Sequence, residues 1–132
     1  MNVNLNALKQ YKNVGLSAAV QTASPQQLIT MLFDGALTAL AQAKGSIERS
    51  DIQSRSTQLN KANDIILGLK DFLDLEKGGE IAANLDALYD YMVRTTSQAN
   101  RDNDADKVQE VMNLLLEVKS GWTQMDVPAS SD

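Results

Sequence analysis

The sequence predicts an all-α protein, an antiparallel up-and-down four-helix bundle behind a short N-terminal leader. Three observations carry that expectation. The chain has 132 residues, the size of one domain with a real hydrophobic core. Its two prolines, Pro25 and Pro128, stand near the ends, so long helices are permitted through the middle. Apolar residues recur at three- and four-residue spacing in four long segments separated by polar turns, and no segment reads as a convincing strand.

The organisation expected is a leader over 1–23, a bundle over 24–125 and a disordered tail over 126–132. The leader is polar and asparagine-rich, with Leu5, Leu8, Tyr11, Val14 and Leu16 roughly three apart. Alone, so short a helix is marginal. It needs something to lie against.

Ser24-Pro25-Gln26-Gln27 is a strong helix start: Ser24 can cap, Pro25 suits the first position, and Gln27 completes a capping box. Leu28, Ile29, Leu32, Ala36, Ala39, Leu40, Ala43 and Ile47 then share one broad face, which Phe33 and Leu37 widen. Such a helix, ending near Ser50, is central in the bundle or lines a groove. The second helix is expected from Ser54 or Ser56 to about Glu76, with Leu59, Ala62, Ile66, Leu69 and Leu73 as its core stripe. Ile65 and Phe72 lie on one shoulder of that stripe and Leu67 lies off it. Lys77-Gly78-Gly79 reads as the stop. The third helix is expected from about Glu80 to Asn100, with Ile81, Leu85, Leu88, Met92 and Ala99 inward. Tyr89 and Val93 flank one side of this stripe and Tyr91 the other. After the polar turn Asp102-Asn103-Asp104, a fourth helix to about Met125 places Val108, Val111, Met112, Leu115, Val118 and Trp122 on one face. Short connections between long helices make neighbours antiparallel.

Composition narrows the function. The chain contains neither cysteine nor histidine, which removes disulfides, thiolate nucleophiles, the usual general base and the commonest metal ligand. An enzyme is therefore not expected, and no cofactor or metal is implied. The net charge of -5 disfavours a nucleic-acid partner. Residues 1–50 carry four basic and two acidic residues, and the remainder eight basic and fifteen acidic, so the negative charge sits in the later part. A solvated acidic surface explains this; mild steering of a basic partner is the sharper alternative. No cleavable signal is visible and nothing approaches the roughly 18 apolar residues of a membrane span, so a cytoplasmic protein without membrane insertion is expected.

Asp102, Asp104 and Asp106 alternate like the opening of a calcium loop, but Lys107 occupies the glycine position and Asn113 the glutamate position. A helix-capping turn is the better reading. Gly35, Gly45, Gly68 and Gly121 fall inside helices, where glycine costs on the order of 1 kcal/mol relative to alanine. Close helix crossings or a seam for a partner backbone would each explain them. Ile65, Leu67, Phe72, Tyr91, Leu114 and Leu116 exceed what a four-helix core absorbs comfortably, and spare apolar surface marks an interaction site or lies under the leader.

These residues resemble a known family. Tyr11, Val20, Thr22-Ala23-Ser24-Pro25, Leu28-Ile29 and Met31-Leu32-Phe33-Asp34-Gly35-Ala36 are similar to the flagellin export chaperones, the FliS family. The likeness continues through Lys61-Ala62, Ile65-Ile66, Leu73-Asp74, Gly78-Gly79-Glu80-Ile81-Ala82, Asn84-Leu85, Leu88-Tyr89-Asp90-Tyr91-Met92, Ala99-Asn100 and Trp122. Two departures stand out: Phe33 in place of the usual tyrosine, and Thr95-Thr96 where leucines are common. The resemblance implies a bacterial cytosolic chaperone that holds the C-terminal segment of flagellin unpolymerised and delivers it to the flagellar type III export apparatus. An export-gate component is an expected second partner, and self-association is left open. On this reading Tyr11, Ile65, Leu67, Phe72 and Tyr91 bind the partner, while Leu5, Leu8, Tyr11 and Val14 form a cap over the apolar surface. Two other classes compete: an adaptor for a regulatory or export-gate protein, and a structural oligomer that buries its patch in itself.

Overall fold

The computed structural model describes residues 23–130, with side chains through Thr123. The expected cap residues Leu5, Leu8, Tyr11 and Val14 lie outside the described residues. Four helices follow in order: α1 Pro25–Glu48, α2 Ile52–Asp71, α3 Gly79–Asp102 and α4 Ala105–Ser130. Both α1 and α3 pack on α2 and α4, which puts α1 and α3 at diagonal corners. Polar links give the directions. From α1 to α4, Thr30 meets Trp122, Asp34 meets Lys119, and Lys44 meets Gln109. From α2 to α3, Arg55 meets Asn100, Asn63 meets Ser97, and Lys70 meets Asp90. In each pair numbers fall on one helix as they rise on the other, so the bundle is up-and-down as expected. Among the described residues no helix is long and apolar enough to cross a membrane.

The helix ends follow from local chemistry. At α1 the capping box forms: the Gln27 N–H donates to Ser24 Oγ at 3.2 Å and the Ser24 N–H to Gln27 Oε1 at 2.8 Å. Ser50, at φ 60, closes α1 in the left-handed region. Asp51 then caps α2 by accepting from the Ser54 N–H at 3.1 Å, so this helix begins before the expected serines. Those serines serve as ties instead. Ser54 Oγ accepts from Ser46 Oγ at 2.8 Å, and Ser56 Oγ donates to Asn100 Oδ1 at 3.1 Å.

Helix α2 stops at Asp71, short of the expected Glu76. Asp74 organises the connection: its Oδ1 accepts from the Glu76 and Lys77 N–H groups, and its carbonyl accepts from the Gly78 N–H at 2.8 Å. The glycine pair therefore opens α3 and does not close α2. A Cβ at Gly78 would stand 2.6 Å from the Ala82 Cβ, and Gly79 has φ +53. At the last turn Asn103 is left-handed, and Asp104 Oδ1 accepts from the Asp106 and Lys107 N–H groups. That is the capping turn read from the sequence. Helix α4 runs past the expected end at Met125 to Ser130.

The core is centred on α1, whose Leu28, Leu32, Phe33, Ala36, Ala39, Leu40, Ala43 and Ile47 are all buried against Leu59, Ile66, Leu69, Met92, Val108, Val111 and Leu115. Three expectations need correction. Ile65, placed on a reachable shoulder, is 0% exposed and packs its Cδ1 over Gly35. The close packing of α1 on α2 swallows the shoulder, and a methyl group at Gly35 would stand 3.4 Å from that Cδ1, an ordinary contact distance. Tyr89, expected at the flank of α3, is buried, whereas Ile81, expected inward, is 70% exposed because α2 ends before it can cover the start of α3.

The Thr95-Thr96 pair is buried, and among the described residues the Thr96 hydroxyl has no hydrogen-bond partner. A buried hydroxyl without a partner costs on the order of 1–3 kcal/mol. Thr96→Val keeps the shape and removes that penalty, so it should stabilise the fold by about 1 kcal/mol in chemical denaturation; an unchanged or lowered midpoint counts against this account. Ile65→Asp should be as damaging to the fold as Leu69→Asp, both by more than about 3 kcal/mol. A folded, merely binding-deficient Ile65→Asp protein would return Ile65 to the surface.

Candidate functional site

One end of the bundle is open. Near the other end the α3–α4 seam is closed by Ala99, Val108 and Val111, all fully buried. Towards the start of α3 and the C-terminal part of α4 the same seam parts into a groove of about 410 Å³. Ile29 and Phe33 of α1 and Leu69 of α2 form its floor, and Phe72, Leu73 and Asp74 join from the α2–α3 connection. Helix α3 supplies Ile81, Ala82, Leu85 and Tyr89, and α4 supplies Glu117, Val118, Gly121 and Trp122. The volume is that of a ligand-sized site. The early stop of α2 and the small side chains of Ala82 and Gly121 account for the opening.

Trp122 is held in place: its Nε1 donates to Thr30 Oγ1 at 3.2 Å, and that hydroxyl donates to the Gln26 carbonyl at 3.1 Å. With the indole N–H satisfied, its apolar ring can serve the groove. Close by, Lys119 pairs with Asp34 across α1 and α4. On the far side Lys70 bridges Asp90 at 3.0 Å and Asp86 at 3.7 Å, and the hydrogen bond to Asp90 holds its ammonium above the ordinary lysine range. Burial pushes the Tyr89 phenol up to about 12.

The helical glycines divide by what they face. Gly35 receives Ile65, Gly68 is buried in α2, and a Cβ at Gly45 would lie 3.1 Å from an Arg49 guanidinium nitrogen. Gly121 faces nothing within 4 Å among the described residues. Packing against a neighbour does not explain it, although a helical glycine costs about 1 kcal/mol relative to alanine.

Of the partner-binding residues expected from the sequence, Phe72 lies in the groove and Ile65 is core. Leu67 and Tyr91 are surface residues outside the groove, and the Tyr91 hydroxyl donates to Glu110 of α4. Tyr11 lies outside the described residues. The groove instead gathers Ile29, Leu73, Leu85 and Trp122, which read as core from their spacing. The only hint in the sequence was Gly121 beside Trp122, a costly glycine next to a large aromatic.

The arrangement offers apolar contact, with the carboxylates of Asp74 and Glu117 at its edge. That suits binding a chain segment. The family model described as flagellar protein FliS matches residues 7–129, a span that contains every groove residue. The chain belongs to the FliS family. It is 48% identical over 118 residues to the flagellar secretion chaperone FliSB of Pseudomonas aeruginosa, covering 89% of this chain and 94% of that protein. It is 48% identical over 126 residues to the flagellar secretion chaperone FliS of Salmonella typhimurium, covering 95% and 93%. The Bacillus subtilis flagellar secretion chaperone FliS is 35% identical over 106 residues, covering 80% and 78%.

In this FliS-family chain the buried Tyr89 couples the groove wall to pH. Below pH 10 the phenol is neutral in both folded and unfolded chains, so its contribution is fully present. Between pH 10 and about 12 the unfolded chain ionises first, and stability should fall by up to about 2–3 kcal/mol. Tyr89→Phe should lose this alkaline decline, as measured by denaturant midpoints on either side of the window. Parallel declines in the two proteins would show that Tyr89 is not its source.

Proposed function

We propose that this chain is an export chaperone that binds the C-terminal segment of a flagellin in the bacterial cytoplasm, keeps it from polymerising and delivers it to the flagellar type III export apparatus. The observation that carries the reading is the apolar groove in a member of a family whose relatives are named flagellar secretion chaperones. A client that is disordered when free gains by folding an amphipathic segment onto such a surface. Covering the client's apolar residues stops its subunits from meeting one another. Binding and release suffice, and neither catalysis nor a cofactor is part of the proposal.

Phe72 is the contact best placed for the client, half-buried at the mouth of the groove at the C-cap of α2. Leu67 and Tyr91 are proposed as outlying contacts. For the leader, the proposal is a plug: Leu5, Leu8, Tyr11 and Val14 shield apolar surface until the client displaces them, at some loss of observed affinity. An export-gate component is the proposed second partner.

Calorimetry with the full-length protein and a peptide from the cognate flagellin's C-terminal end tests the reading. Binding should come with a gain in helicity and a negative heat-capacity change. Phe72→Asp should weaken it by more than about 1 kcal/mol with the fold intact. Binding confined to flagellin's central domains would overturn the proposal.

A further inference from the structure

The groove carries information about which segment it accepts, and the following rests on the reading that it seats an export client. Its floor is apolar, but its edge is negative. Asp74 and Glu117 line it, and residues 72–80, beside it, carry the carboxylates of Asp74, Glu76 and Glu80 against the single cation of Lys77. Among the described residues the lysines beside the groove are engaged: Lys70 with Asp86 and Asp90, and Lys119 with Asp34. Between these edges Gly121 leaves space where any other residue would project a side chain, next to the anchored ring of Trp122.

We propose that the groove selects an amphipathic segment whose apolar anchor is flanked by cationic side chains, and that Gly121 is the specificity-determining position over which a large anchor residue enters. Two physical effects follow. Cationic flanks are attracted to the carboxylate edge, and the attraction is screened by salt. A side chain at position 121 takes the anchor's place, so affinity falls with its size, while the helix itself is favoured by losing a glycine.

The chain has a single tryptophan, so selective excitation of Trp122 reports groove occupancy in the full-length protein. The probes are two tryptophan-free synthetic amphipathic peptides with the same Leu/Phe face, one flanked by lysines and the other by glutamates. The lysine peptide should shift Trp122 emission and bind at least tenfold more tightly at low salt, with the gap narrowing at high salt. Gly121→Leu should weaken that binding at least tenfold with helix content and melting retained. Gly121→Ala, which adds only a methyl group in open space, should fold at least as well as the parent and show a smaller loss in the same direction. Equal affinity for the two peptides, or binding indifferent to both substitutions, overturns the proposal. So does emission that changes with protein concentration alone, which identifies a second copy as the occupant. A flagellin tail that binds without regard to salt or Gly121 also overturns it and leaves the export reading standing. Selective peptide binding with no binding of the flagellin tail upholds it and defeats the export reading.

Discussion

Leu32, Phe33, Ala36, Leu40 and Ala43 are all buried in α1, and a helix so apolar has to be covered along more than one side. Helices α2 and α4 do this. Each large side chain buried in the process contributes about 1.5–3 kcal/mol, so the α1 surface alone outweighs the polar ties between helices. The capping box at Ser24 starts this helix, and the small buried side chains of Ala36, Ala39 and Ala43 let its neighbours come close. The burial of Ile65 follows directly from that closeness.

Because α1 takes α2 and α4 as its cover, α3 is left at the diagonal corner and packs chiefly on those two helices. Its C-terminal half is secured by Ala99 and by polar links such as Arg55 to Asn100 and Asn63 to Ser97. Its first turns are held by little besides the Lys70 bridge to Asp86 and Asp90, since α2 has already ended and the seam there is lined by small residues, Ala82 of α3 and Gly121 of α4. The groove is thus a product of unequal helix coverage. A bundle arranged this way keeps one end closed while the other presents apolar surface of the kind that marks an interaction site.

Polar groups in the interior also carry structural information. Ser46 reaches Ser54 across the first turn, and Ser56 and Arg55 converge on Asn100. Such bonds add little net stability but penalise slipped registers, in which the same groups would be buried without partners. The Thr96 hydroxyl, Gln58 Oε1 and Asn63 Oδ1, buried without partners among the described residues, mark where this arrangement is least complete. They lie away from the groove lining, so stability there can vary without altering what the groove touches.

By itself the sequence determined the number of helices, their order and direction, the start of α1 and the capping turn at Asp102-Asn103-Asp104, because these depend on periodicity and on bonds within a few residues. The absence of histidine and cysteine limited the chemistry, and the motifs from Tyr11 to Trp122 were specific enough to show the family resemblance. Only the tertiary structure decided which apolar residues were spare. Ile65 and Ile81 look alike as isoleucines on helical stripes, yet one is wholly buried and the other largely exposed. The difference lies in how α1 and α2 pack around Ile65, a contact between residues distant in sequence, and in α2 having stopped before it could cover Ile81. For the same reason Trp122 read as core and proved to line the groove, while Gly121 gained a role only once the space in front of it was seen.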